Sequence, residues 1–257
     1  MKAVILVAGL GSRLRPFTNT IPKALVPLNG TPLLDYQLSS LRGLGITDIS
    51  LVTGYRPEAF DRYNLPCFYN EQYAQSNMVY SLMQARSLFD GMEDLLICYG
   101  DIVYNQNILC RILDTQGSLV VSADQDWLSL WQLRMEDPYS DAETFIMEEG
   151  SQRIVSLGKK IHRKDDAQAQ YIGLLKVSAA FQRQWLKAYD RMPELESKNL
   201  YMTDFIQSLI DAGHNATASL HKGGWLEVDS VEDKTSYESS DEIKALLEFI
   251  KSSHSSH

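Results

Sequence analysis

From its first residues the chain alternates between short, unbroken apolar runs and stretches of helical period, and that alternation leaves few folds open. Val4-Ile5-Leu6-Val7 is apolar at every position. Such a strand must be covered on both faces, as in a parallel sheet flanked by helices. Residues 33–44 predict a helix, with Leu34, Leu38 and Leu41 on one face and a stop at Gly43 and Gly45. Residues 49–53 predict the next strand, turned by Gly54-Tyr55-Arg56-Pro57. The pattern continues with strands at 66–69, 95–99 and 118–123 and helices at 77–89 and 107–113.

After Asp124 the period is lost. Residues 125–141 carry Trp127, Trp131, Arg134 and Pro138 without a clean repeat and predict a cap over the sheet. Residues 144–148 and 153–157 predict a hairpin across Glu149-Gly150-Ser151-Gln152. Strands at 171–177 and 216–220, helices at 179–192, 201–212 and about 240–251, and an extended segment at 225–229 complete the chain. Strands alternating with helices imply right-handed crossovers. The expected fold is therefore a Rossmann-like three-layer α/β/α arrangement with a mostly parallel central sheet. It forms one domain over residues 1–251, with an acceptor-side insertion at about 125–165. The tail at 252–257, with His254 and His257, is expected to be disordered.

Composition narrows the function. Lys and Arg number 24 and Asp and Glu 33, a net charge of −9. That balance, with no long basic run, disfavours a nucleic-acid groove. No apolar stretch approaches the roughly 20 residues of a membrane span, and no leader pattern follows Met1-Lys2, so a cytoplasmic protein without membrane partners is expected. Cys67, Cys98 and Cys110 are odd in number, lack metal-ligand spacing and sit among apolar residues, which predicts small buried thiols and no disulfide framework.

Function concentrates in the loop after the first strand. Gly9-Leu10-Gly11-Ser12-Arg13-Leu14-Arg15-Pro16 falls at the carboxyl edge of the expected sheet, where open α/β folds bind ligands. Leu14 replaces the small residue of a dinucleotide fingerprint, and the spacing is wrong for a P-loop. What remains is bare backbone able to approach phosphates, with Arg13 and, ten residues on, Lys23 as cations. A tight turn with solvated arginines would use the same residues.

The continuation through Thr18, Pro22-Lys23-Ala24-Leu25-Val26-Pro27-Leu28 and Pro32-Leu33-Leu34 resembles the signature of the nucleotidyltransferase superfamily, which includes the sugar-phosphate nucleotidylyltransferases. The resemblance implies that Ala8, Gly9, Gly11, Ser12 and Arg13 hold a triphosphate. It also implies that Lys23 and Arg13 are catalytic, stabilising charge at the attacked phosphate. Ser76-Asn77-Met78-Val79-Tyr80-Ser81-Leu82 is similar to the bacterial phosphocholine cytidylyltransferase branch. That likeness implies CTP, with Ser76 and Asn77 near the cytidine or its phosphates and Tyr80 on the acceptor side. Read from the residues alone, Ser76 or Asn77 would simply cap a helix.

Gly100-Asp101 ends a strand, and Glu227 and Asp229 lie on one side of an extended segment. An isolated Asp there often caps a helix. Two such acids over a triphosphate would instead offer the oxygen ligands that Mg²⁺ takes. With the family resemblance, Gly100 is expected at the nucleotide, Asp101 and Asp229 as ligands, and Glu227 as a further ligand or behind them. On the acceptor side, Trp131, Arg134, Tyr171 and Lys176 are expected. Trp127 and Trp131 share a helical face, which favours core for at least one; aromatics can also enclose a quaternary ammonium, whereas Arg134 suits an acceptor phosphate or carboxylate.

The resemblance implies transfer of a cytidylyl group from CTP to phosphocholine or a related small phosphomonoester, releasing pyrophosphate and giving a CDP-linked precursor for surface polysaccharide or lipid. A sugar-1-phosphate nucleotidylyltransferase using UTP, dTTP or GTP and a catalytically silent nucleotide sensor are the alternatives. The oligomeric state stays open, a homodimer being one option.

Overall fold

Val4 packs on one face of the sheet and Ala3 and Ile5 on the other, so the first apolar run serves two cores at once. A computed structural model describes residues 1–252; from Ser253 onward the expected tail, with His254 and His257, lies outside the described residues. Strand β1 (Lys2–Leu6) leads through the glycine-rich loop to two short strands, β2 (Pro27–Leu28) and β3 (Thr31–Pro32), and helix α1 (Leu33–Gly43). Then come β4 (Asp48–Thr53), β5 (Cys67–Tyr69), α2 (Met78–Gln84), β6 (Leu95–Tyr99), β7 (Ile102–Tyr104), α3 (Gln106–Asp114), β8 (Leu119–Asp124) and α4 (Trp127–Arg134). The hairpin β9 (Glu143–Met147) and β10 (Ile154–Lys160) precedes β11 (Gln170–Val177), α5 (Ala179–Asp190), α6 (Glu194–Asn199) and α7 (Met202–Asp211). Strands β12 (Ala216–His221) and β13 (Trp225–Glu227) and helices α8 (Val231–Ser239) and α9 (Asp241–Ser252) follow.

Seven strands form the central sheet in the order β12-β8-β11-β6-β1-β4-β5. Neighbours pair in parallel except at β11, which is antiparallel to both β6 and β8. The expected mostly parallel three-layer fold is what forms. Helices α1, α3, α4, α8 and α9 cover one face, and α2, α5 and α7 the other. The insertion expected at about 125–165 holds α4 and the hairpin; Trp127 and Trp131 are both buried, 5.9 Å apart edge to face. Three helices, α4, α6 and α8, are additions to the six expected. Of the three cysteines only Cys98 is buried, while Cys67 and Cys110 are exposed. The apolar neighbours of Cys110, Ile108 and Leu109, take the inner face of α3 and leave the thiol on the outer one. No helix among the described residues is long and apolar enough to cross a membrane.

The reversal of β11 decides which of its residues reach the carboxyl edge. Tyr171, near the start of β11, pairs with Ala123 at the carboxyl end of β8, whereas Lys176 pairs with Leu96 and Val120 at the amino ends of β6 and β8. A register shift between Tyr171 and Leu175 surrounds Gly173, whose φ is +82°. A Cβ there would lie 2.7 Å from the Tyr99 ring. Glycine thus lets β11 press against Tyr99, and Tyr171 meets that ring edge to face at 5.7 Å.

Candidate active site

Two adjoining cavities open at the carboxyl edge of the sheet. The first, about 220 Å³, is lined by Ala8, Gly9, Lys23, Ser76, Asn77, Gly100 and Asp101, with Tyr73 and Met78. The second, about 280 Å³, is lined by Arg13, Tyr99, Trp131, Asp141, Glu143, Tyr171, Tyr201, Trp225, Glu227 and Asp229.

The loop that borders both is shaped by glycine. Gly11 has φ +60°, and a Cβ on it would stand 2.8 Å from the Lys23 Cβ. The Thr18 hydroxyl donates to the Gly11 carbonyl at 2.8 Å and ties the loop down. Gly11 and Ser12 line neither cavity; Gly11 brings the loop against Lys23, and Ser12 is exposed beside Arg13. Gly100 allows β6 to pass close to β1, since a Cβ there would meet the Leu6 carbonyl oxygen at 2.5 Å.

Where the cavities meet, Lys23 Nζ donates to Asp101 Oδ2 at 2.7 Å and to Asp229 Oδ1 at 2.6 Å. Asp229 also pairs with Arg13, whose side chain is otherwise 74% exposed. Burial works against a charge on Lys23, but Asp101 and Asp229 outweigh it and raise its pKa above the ordinary value, so the ammonium stays charged at neutral pH. Asp101 Oδ1 is buried with no hydrogen-bond partner. An unsatisfied carboxylate oxygen is costly unless something comes to it.

A divalent cation fits this arrangement only in part from protein groups. Among the described residues no group of three or more His, Cys, Asp or Glu could hold a metal. Glu227 is already engaged, accepting from Arg134 Nη1 at 2.6 Å. Burial raises its pKa, with Arg134 pulling it back down. Asp101, with its free oxygen, and Asp229 leave most of an octahedron to phosphate oxygens and water, which is how Mg²⁺ is commonly held beside a nucleotide.

Ser76 and Asn77 line the first cavity but have partners of their own, and Tyr80, Arg134 and Lys176 fall outside both cavities. Ser76 Oγ donates to the Gln72 carbonyl at 2.9 Å and accepts from Asn70 Nδ2 at 3.0 Å. Asn77 stands at the cap position of α2, but its side chain makes no cap bond and donates instead to the Asn199 carbonyl at 2.6 Å. Tyr80 lines neither cavity and faces Lys198 and Tyr189. Arg134 also lines neither; its side chain is 5% exposed, and its guanidinium is turned to Glu227 and Asp233 behind the cavity wall. Lys176 lies at the opposite end of the sheet. Its Nζ donates to the carbonyls of Leu113 and Thr115 at 2.9 and 2.8 Å, closing the carboxyl end of α3. The reversal of β11 carries it there. Lys176→Met is expected to cost about 1.5–3 kcal/mol of stability, the scale of a hydrogen bond from a charged group. Turnover per folded molecule should not change, as urea unfolding and kcat together would report.

Asp141, Glu143, Tyr201, Trp225 and Asp233 join the site without having been expected there. Asp233 has a local signal: Ser230-Val231-Glu232-Asp233 has the spacing of a capping box, which α8 forms. The others come together only through tertiary packing.

Residues 3–167 match the MobA-like NTP transferase domain, and the chain belongs to that family of nucleotidyltransferases. It is 35% identical over 248 residues to the CTP:phosphoglutamine cytidylyltransferase of Campylobacter jejuni, a match covering 91% of this chain and 97% of that protein. It is 49% identical over 86 residues to the choline-phosphate cytidylyltransferase of Streptococcus pneumoniae, covering 32% of this chain and 38% of that one. Among solved structures, the inositol-1-phosphate CTP transferase of T. maritima shares the fold, with a TM-score of 0.72, 20% identity and coverage of 97% and 96% of the two chains.

Proposed function

We propose that the protein transfers a cytidylyl group from CTP to the phosphate of a small phosphomonoester, releasing pyrophosphate. The observation that carries this is the Lys23 ammonium, bonded to Asp101 and Asp229 where the two cavities meet. A nucleotide in the first cavity and an acceptor in the second would bring their reacting phosphates to that point. The relatives named for CTP, with acceptors as different as phosphoglutamine and choline phosphate, support the nucleotide and the phosphorylated acceptor.

In this reading an acceptor phosphate oxygen attacks the α-phosphorus of CTP, a new P–O–P bond forms, and the bond to the β-phosphate breaks with pyrophosphate leaving. No general base is needed, because a phosphate monoester has a second pKa near about 6 and is largely ionised. Lys23 and Arg13 stabilise the negative charge that accumulates on the transferring group. Gly9, Gly11 and Ser12 form the loop at the triphosphate, and Ser76 and Asn77 border the nucleoside. Asp101 and Asp229 would hold Mg²⁺, which would neutralise phosphate charge. Trp131 and Tyr171 form walls of the acceptor cavity. The reaction belongs in the cytoplasm, where CTP is made, and its CDP-linked product would feed surface polysaccharide or lipid synthesis.

Pyrophosphate release should be measured with CTP, UTP, dTTP and GTP, each against phosphocholine, phosphoamino acids, phosphoglycerate and sugar 1-phosphates. Turnover is expected with CTP and one class of small phosphomonoester. Turnover confined to UTP or dTTP with a sugar 1-phosphate would replace this reading with the alternative.

A further inference from the structure

Behind Asp229 lies a buried network that the chemistry above does not use. Arg134 ends α4, the helix whose Trp131 walls the acceptor cavity, and its guanidinium carbon lies 5.0 Å from the centre of that indole ring. Nη1 donates to Glu227 Oε2 at 2.6 Å, while Nε and Nη2 donate to the two oxygens of Asp233 at 3.1 and 3.2 Å. The side chains of Arg134 and Asp233 are only 5% and 4% exposed. Asp233 Oδ2 accepts in addition from the backbone N–H groups of Asp229 and Ser230, at 2.9 and 3.0 Å. One carboxylate thus joins a cation on the acceptor wall to the peptide that carries Asp229.

We propose that Arg134 is a positioning residue: through Asp233 it fixes the backbone of Asp229, and through its own Nη1 it fixes Glu227, so that the acceptor wall and the cation-binding carboxylates are set as one unit. A guanidinium makes two parallel bonds to one carboxylate and a third to another in a single plane, which defines orientation as well as distance. A lysine ammonium is a point charge and cannot hold both acids in that plane. Without the two parallel bonds Asp233 keeps only its backbone donors, and the Asp229 peptide is no longer tied through it to the acceptor wall. Metal sites depend on such outer groups, whose replacement costs about 10–100-fold in metal affinity.

The inference rests on Asp101 and Asp229 being the carboxylates that meet the divalent ion, and the experiment separates the two claims. Mn²⁺ would be titrated into the protein with saturating CTP, and CTP alone into metal-free protein, for the wild type, Arg134→Lys, Asp233→Asn and Asp101→Asn. Arg134→Lys and Asp233→Asn are each expected to weaken Mn²⁺ by about tenfold or more while metal-free CTP affinity stays within about twofold. A merely structural role would lower the melting temperature and leave the Mn²⁺ affinity of the folded fraction unchanged; that result in whichever of the two variants folds would overturn the inference. Asp101→Asn is the control. If it binds Mn²⁺ as the wild type does, the metal assignment itself falls; if it loses Mn²⁺ while Arg134→Lys retains it, only the positioning role falls.

Discussion

Lys23→Ala is expected to lower kcat by about 10²- to 10³-fold, the loss that follows removal of one preorganised group facing developing charge. Lys23 is placed for this by three independent constraints. Gly11 lets the loop pack against its Cβ, the turn Lys23–Leu25 starts at it, and two carboxylates hold its ammonium. Much of the binding of CTP would come from other groups, so its KM should change far less than kcat, the signature of an interaction made in the transition state. Because Lys23 separates Asp101 from Asp229, the variant should also melt at a lower temperature when free of ligands, and added Mg²⁺ with CTP should restore part of that loss. A variant that turns over within a few-fold of the wild type would remove Lys23 from the chemistry.

Asp101→Asn is expected to reduce kcat by a similar factor for a different reason. The amide keeps the shape and can still accept from Lys23, so the fold and the melting temperature should change little. It removes the charge that is proposed to face the cation, and Asp101 Oδ1, the buried oxygen without a partner, would not be available as an anionic ligand. Raising Mg²⁺ should recover part of the rate, whereas it should not rescue Lys23→Ala. If both groups act on the same phosphate, as proposed, the double variant should be far less impaired than the product of the two losses. Rate measurements over a Mg²⁺ series in all three variants would check this.

The nucleotide side is legible because it is local in sequence. The Gly9–Pro16 loop, Lys23 and the strand end at Asp101 are singled out by a family resemblance carried on contiguous motifs around two strands, and a cavity and ion pairs bring Gly9, Lys23 and Asp101 together. The acceptor side is assembled from α4, the hairpin, β11, α7 and β13, with Trp131, Glu143, Tyr171, Tyr201 and Trp225 drawn from widely separated parts of the chain. Trp131 and Tyr171 are expected there from the sequence, but no period or motif places Glu143, Tyr201 and Trp225 beside them. Lys176 falls away from its expected place because apolar patterning does not carry strand direction: a reversed β11 has the same alternation as a parallel one, yet its last residues lie at the far end of the sheet. Arg134 does so because a cation in a polar, irregular stretch looks free until its partners at 227 and 233 are brought to it. Helix α8 escapes prediction since Val-Glu-Asp-Lys-Thr-Ser-Tyr-Glu-Ser has no apolar period and is set by its capping box instead.

Two labels decide the direction of group transfer. With CTP carrying radiolabel at the α-phosphorus, the label should appear in a CDP-linked product of the acceptor; with label at the γ-phosphorus, it should appear only in pyrophosphate. Label from the γ-position in the acceptor, or label from the α-position released as CMP with none in an acceptor product, would contradict cytidylyl transfer.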